Sequence, residues 1–109
     1  MSETTTGRRP SDNPTVLRPI GEWRTLGPGV YRCMVYLTPE AEGGFSVEAA
    51  TLPGVASQGN NEKEALANIA EALEGAFAAY RDLGTKIPWL TMPRERPSTA
   101  KEKWVIVHA

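Results

Sequence analysis

Few side chains in this sequence could perform chemistry, and none of them stands in a catalytic arrangement. The single histidine, His108, is the next-to-last residue, and the single cysteine, Cys33, alternates with apolar residues. A catalytic nucleophile needs a general base within hydrogen-bond reach, and no candidate for such a base lies near Cys33 in the sequence. We therefore expect His108 to be an ordinary surface residue and Cys33 to be a small buried apolar residue. No catalytic residue is predicted, and the chain is not expected to be an enzyme.

The sequence also offers no convincing metal or cofactor site. One cysteine and one histidine cannot supply the ligands of a structural zinc site. Glu40 and Glu42 could be read as a pair of metal ligands, but two carboxylates in a turn more often only keep a surface polar, and divalent cations need more ligands. Gly27-Pro28-Gly29 precedes a predicted strand, whereas a phosphate-binding loop follows one. We expect neither a metal nor a cofactor.

Composition narrows the class of protein further. The chain has 109 residues, enough for one ordinary domain. Its 12 basic and 13 acidic side chains give a net charge of -1, which argues against a strong sequence-independent grip on nucleic acid. A single cysteine excludes an intramolecular disulfide, and the polar N-terminus is not a secretory signal. Apolar runs stay well below the roughly 18 residues of a membrane span, so we predict a cytoplasmic protein with no membrane contact.

Alternation of apolar and polar residues predicts several strands. Val30 to Thr38 and Phe45 to Thr51 both show period two, and the turn between them contains Gly43-Gly44, so the two runs predict a β-hairpin. Val55 to Gln58 could form a short third strand. Lys103 to His108 is β-branched and aromatic, which favours a last strand.

The clearest predicted element is one long helix. Asn61 is a suitable N-cap and Glu64 stands three positions later, the spacing of a capping box in which each side chain satisfies the other residue's backbone N–H. The helix is predicted from about Glu62 to Leu83, with Gly84 as the C-terminal glycine. Its large apolar residues recur at steps of three and four and form one stripe: Leu66, Ile69, Leu73, Phe77 and Tyr80.

These elements predict an α+β fold in the order β-β-β-α-β, with one antiparallel-type sheet packed on one main helix. Residues 1–14 are predicted to be a disordered tail, because they are rich in Ser, Thr, Arg and Pro. Residues 15–29, around Trp23, are predicted to be an extended segment of uncertain order, and residues 30–109 to form the domain.

A few large apolar residues are candidates for partner binding. Trp89 and Leu90 lie in a proline-bearing loop, Thr85 to Lys101, where they either cover the core or contact a partner. Covering the core is the favoured reading. Tyr36 and Phe45, on the predicted hairpin, complete the set of partner-binding candidates.

Several short motifs follow one another in the middle of the chain. Gly44-Phe45 opens a strand, Leu52-Pro53-Gly54 forms a turn, Ser57-Gln58-Gly59 ends a strand, and Glu64-Ala65-Leu66-Ala67-Asn68 opens the helix. In this order they resemble the HicB-like antitoxin family, and Ile87-Pro88 extends the resemblance. The residues that we assign to this fold motif are Gly44, Pro53, Gly54, Ser57, Gly59, Asn61 and Glu64.

The resemblance implies a partial ribonuclease-H-like fold without the ribonuclease site. It also implies a stand-alone HicB-like domain that neutralises a small, basic, RNA-cleaving HicA-like toxin and that forms homodimers or larger oligomers. The sequence departs from the family pattern at Val55, where cysteine is frequent, and at Asn60-Asn61, where Asp-Thr is usual. Full antitoxins carry a C-terminal DNA-binding module, and only Lys101 to Ala109 follow the loop here, so DNA binding is not expected.

Two other readings remain open at this point. The chain could be an orphan self-associating domain with no toxin partner. An enzyme or an RNA-binding protein is the least favoured reading, because the sequence shows neither a catalytic constellation nor an excess of basic residues.

Overall fold

The computed structural model describes residues 25–27 and 29–108. In chain order the elements are β1 (Thr25–Gly27), β2 (Val30–Pro39), β3 (Phe45–Ala49), β4 (Ala56–Gly59), α1 (Glu62–Leu83) and β5 (Lys101–His108). The predictions for residues 1–14 and for residues 15–24 lie outside the described residues.

Strand β2 is the centre of an antiparallel sheet. One of its edges pairs with β5 over eight consecutive positions, from Val30↔His108 to Leu37↔Lys101. Its other edge pairs with β3, from Val35↔Ala49 to Pro39↔Phe45, and with the short β1 near Val30 and Tyr31. Because β4 pairs with β3, the strand order across the sheet is β5-β2-β3-β4, with β1 on the same edge of β2 as β3.

Helix α1 begins and ends where its capping residues predict. The Asn61 side chain accepts a hydrogen bond from the backbone N–H of Glu64 at 2.8 Å. Gly84 adopts the left-handed conformation (φ 71°), and its N–H donates to the carbonyl of Arg81. These contacts satisfy backbone groups that have no partner within the helix.

The main core lies between α1 and one face of the sheet. Odd-numbered residues of β2 and β5 point toward the helix, among them Cys33, Val35 and Val107. They meet the buried helix residues Ala65, Ile69, Leu73 and Phe77. Each large apolar side chain contributes roughly 1.5–3 kcal/mol when fully buried, so the helix and the sheet stabilise each other.

The opposite face of the sheet, which we call the outer face, carries a second and smaller cluster. Met34, Tyr36, Ala50 and Ala100 are buried there, and Trp104 packs against them. The segment between α1 and β5 (residues 84–100, the connection) reaches this face. The N–H of Arg94 donates to the carbonyl of Ala50 at 2.8 Å.

The structure confirms the α+β class and the order β-β-β-α-β, and it adds a strand that the sequence did not predict. This strand, β1, is three residues long and pairs with the start of β2 at two positions, Thr25↔Tyr31 and Gly27↔Val30. Strand β3 ends at Ala49, two residues earlier than predicted, and β5 begins at Lys101, two residues earlier than predicted. Among the described residues, no helix is both long enough and apolar enough to cross a bilayer.

Candidate functional site

The motif residues meet where the β2–β3 hairpin reaches the start of α1. Gly44 has a positive φ (79°), and a Cβ atom there would lie 2.9 Å from the carbonyl oxygen of Gly59. A Cβ on Gly59 would lie only 2.4 Å from the backbone nitrogen of Ala65. These two glycines therefore allow the hairpin, β4 and the first turn of α1 to approach one another at backbone distance.

Polar side chains bind this junction together. Glu64 accepts a hydrogen bond from the backbone N–H of Asn60, one residue before the N-cap, instead of from Asn61 as the capping-box spacing predicted. Asn68, one helical turn further on, donates from its Nδ2 to the carbonyl of Gln58 at 2.8 Å. The helix is thus hydrogen-bonded to the turn before it and to β4.

A polar cleft opens at this junction, and we call it the hairpin-end cleft. It has a volume of about 400 Å³. Its lining residues are Glu40, Gly43, Gly44, Phe45, Gln58, Gly59, Asn60, Glu64 and Asn68. A neighbouring depression shares Glu40, Gly43 and Gln58 with the cleft and adds Glu42.

The cleft is acidic in character. Glu40 and Glu64 contribute carboxylates, and among the described residues that line it none carries a positive charge. The Glu40 carboxylate accepts a hydrogen bond from the Ser46 hydroxyl at 2.6 Å, which holds it beside the cleft. Such a site can receive a Lys or Arg side chain, because a carboxylate makes charge-assisted hydrogen bonds with both. The described residues contain no cluster of three or more His, Cys, Asp or Glu suited to a metal ion.

The remaining motif residues lie along the path from β3 to β4. Gly54 has a positive φ (77°), and Pro53 precedes it at the exposed turn. Ser57 pairs with Val47 in the β3–β4 ladder. Pro53 and Gly54 thus form the turn between β3 and β4, and Ser57 lies in β4 itself.

The four partner-binding candidates do not form one surface. Phe45 lines the hairpin-end cleft and packs against the core. Trp89 packs against the rings of Tyr31 and Phe77, with centroids 6.2 and 5.7 Å away. Tyr31 is eight residues from the Pro39 end of β2, which is roughly 26 Å along an extended strand.

Tyr36 and Leu90 also serve the fold of their own chain. Tyr36 is 5% exposed on the outer face, and its hydroxyl donates to the carbonyl of Arg94 at 2.5 Å. Burial raises the pKa of this hydroxyl, and the nearby Glu102 carboxylate raises it further. The backbone N–H of Leu90 donates to Thr51. A partner role for these four residues stays a prediction.

Sequence reasoning did not place Glu40 or Asn68 in a site. Glu40 was weighed as a metal ligand together with Glu42 and not favoured, and Asn68 was named only as part of a motif, because their approach depends on the close contact between β4 and α1. The spacing of Glu40 just before Gly43-Gly44 was the available signal, since a hairpin turn brings its flanking residues together.

Comparison with known proteins places the chain in a family. No protein-family model matches it. Among curated proteins, a UPF0150 protein of Thermoplasma acidophilum is 37% identical over 54 residues, a match that spans 50% of this chain and 78% of that protein. With this identity and with more than three quarters of the relative covered, the chain belongs to the UPF0150 family.

Proposed function

We propose that this chain is a HicB-like, antitoxin-type binding protein that neutralises a small, basic, RNA-cleaving toxin of the HicA type by binding to it. Its membership of the UPF0150 family and the resemblance of Gly44 to Leu73 to HicB-like antitoxins support this function. The function needs no catalytic group on this chain, because the toxin is neutralised by occupation of its surface.

The hairpin-end cleft is the observation that carries the proposal. Its carboxylates, Glu40 and Glu64, complement a basic partner, and Glu42 extends the negative charge along the turn. Complementary charge speeds the encounter of two proteins and selects against wrong partners. The cleft is also built by the residues that carry the family resemblance, since Gly44, Gly59 and Glu64 all line it.

The test begins with a tagged chain expressed in its own host. We expect a small basic protein to co-purify, and we expect its RNA-cleaving activity, measured on a labelled RNA, to fall in proportion to the amount of this chain added. The double substitution Glu40→Lys with Glu42→Lys places two positive charges beside the cleft. It should weaken binding of that protein at least tenfold in a calorimetric titration.

A matched control separates the cleft from net charge. Glu71→Lys with Asp82→Lys makes the same charge change on the exposed surface of α1 and should leave the affinity within about twofold. An equal loss of affinity in both double variants would show that net charge, and not the cleft, determines binding. Absence of inhibition by the wild-type chain would overturn the function itself.

A further inference from the structure

A groove opens at the C-terminal end of α1, and we call it the aromatic groove. Its lining residues are Tyr31, Phe77, Tyr80, Arg81, Thr85 and Ile87. Phe77 is buried in the main core, whereas Tyr31, Tyr80 and Ile87 are only half-buried where they pack against it. The groove has a volume of about 220 Å³. Small-molecule sites are usually larger, roughly 300–1,000 Å³, so this groove is better suited to one large apolar side chain.

Exposed apolar surface continues beyond the groove. Leu83 is 75% exposed and lies three positions after Tyr80, so the two side chains are neighbours on the surface of α1. Arg81 lines the groove, and its ion pair with Asp82, at 4.0 Å, is exposed and therefore weak. Its guanidinium can thus lie over the face of an aromatic ring that enters the groove. Contiguous apolar surface with a polar rim marks a contact site.

Strand β1 brings the preceding part of the chain close to this groove. Thr25 lies opposite Tyr31 in the pairing of β1 with β2, and Tyr31 lines the groove. Trp23 stands two positions before Thr25, and two residues of extended chain span at most about 7 Å. A side chain at position 23 is therefore within reach of the groove.

The sequence before Thr25 contains the residue types that such a groove accepts. Residues 15–24 include Val16, Leu17, Ile20 and Trp23. Trp23 suits the groove best, because aromatic pairs stabilise each other beyond the area that they bury. These residues are tethered beside the groove, which gives them a roughly millimolar effective concentration there. A second copy or another protein lacks this advantage.

We propose that residues 15–24 cover the aromatic groove, with the Trp23 indole inside it and the other apolar residues of the segment over Leu83. The C-terminal end of α1 is then covered by its own chain. The proposal goes beyond toxin binding and does not depend on it. The hairpin-end cleft lies at the first turns of α1, and this helix of 22 residues is about 33 Å long, so the cleft stays open.

Limited digestion of the full chain with trypsin tests the proposal. Trypsin cleaves after Arg unless proline follows, so residues 1–24 contain two sites, Arg8 and Arg24, of which Arg8 lies outside the segment and is the internal control. Cleavage after Arg24 should be about tenfold slower than after Arg8, because it requires the segment to open. Trp23→Ala should accelerate it about fivefold or more, whereas the matched control Glu22→Ala should change it less than about twofold. Equal rates at the two sites, or no acceleration by Trp23→Ala, would overturn the proposal.

Variants of the groove test whether Trp23 binds there. Tyr80→Ala should accelerate cleavage after Arg24 about threefold or more, and adding Trp23→Ala should raise the rate less than it does in the wild type, because both remove the same contact. Leu83→Ser, at an exposed position, gives the same comparison if Tyr80→Ala does not fold. Effects that multiply independently would mean that Trp23 binds elsewhere and that the proposal is wrong. Protection of Arg24 that grows between about 5 and 100 µM protein would also contradict it, since a tethered segment binds independently of concentration and a second copy does not.

Discussion

Gly59 lies in close backbone contact with the start of the helix, and Gly75 is a glycine with open space around it. A Cβ on Gly59 would clash with the backbone of Ala65, whereas a Cβ on Gly75, in the exposed part of α1, would meet nothing within 4 Å. The two glycines thus have opposite roles. One is required by a close approach of two backbones, and the other only adds conformational freedom to the unfolded chain.

This contrast predicts opposite effects of the same substitution. Gly59→Ala should lower the free energy of unfolding by about 2–3 kcal/mol, because backbone atoms must move apart. Gly75→Ala should raise it by about 0.5–1 kcal/mol through helix propensity. Urea denaturation followed by circular dichroism measures both. A neutral Gly59→Ala would mean that β4 and α1 are not in backbone contact.

Cys33 gives a second prediction at the residue scale, one that depends on pH. Burial raises the pKa of its thiol from 9.0 to about 12. Above pH 9 the unfolded chain releases this proton while the folded chain retains it, so stability is complete below pH 9 and falls as the pH rises toward 12. The loss should reach about 1.4 kcal/mol by pH 10.

Cys33→Ala isolates this contribution, since every other titrating group is unchanged. The stability advantage of the wild type over Cys33→Ala should shrink by about 1.4 kcal/mol between pH 8 and pH 10. Denaturant titrations at the two pH values provide the comparison. A difference that stays constant with pH would show that the thiol titrates normally and is therefore accessible to solvent.

At the scale of elements, α1 shows what local chemistry specifies. Its bounds, Glu62–Leu83, agree with the prediction because Asn61 and Gly84 signal its two ends through contacts within a few residues. Strand β1 was not predicted, because three residues carry no detectable alternation and their pairing depends on β2. The sequence predicted that the Glu64 carboxylate accepts from the N–H of Asn61, but in the structure it accepts from the N–H of Asn60, one residue earlier. The turn at Asn60 determines which N–H faces this carboxylate.

The cap of α1 provides a prediction with a neighbouring control. Asn61→Ala removes the acceptor for the Glu64 N–H and should cost about 1 kcal/mol. Asn60→Ala retains the backbone N–H that Asn60 donates to Glu64. It should therefore lower the free energy of unfolding by only a few tenths of a kcal/mol. For a domain of this size, a loss of 1 kcal/mol lowers the Tm by about 4–8 °C. Equal losses in the two variants would contradict the assignment of Asn61 as the cap.

At the scale of the whole molecule, the connection joins the two sides of the sheet. Trp89 packs in the main core with Tyr31 and Phe77, and a few residues later Arg94 is bonded to the outer face. The candidate site was less predictable from the sequence than the fold, because it depends on contacts between residues that lie far apart in the chain. Glu40 and Glu64 come together only through tertiary contacts, whereas Tyr36, Phe45 and Trp89 share an apolar character but not a location.

The connection has no regular secondary structure, yet its bonds predict protected amides. Arg94 is held twice, by its N–H to Ala50 and by its carbonyl, which accepts from Tyr36, while the Leu90 N–H donates to Thr51. Tyr36→Phe removes one hydrogen bond, worth about 0.5–1.5 kcal/mol, at Arg94 alone. The Arg94 amide should then exchange about three- to tenfold faster in native-state hydrogen exchange, and the Leu90 amide should change less. If both amides accelerate equally, the connection opens as one unit and Tyr36 stabilises all of it; if neither changes, the Tyr36 hydroxyl does not hold the connection on the outer face.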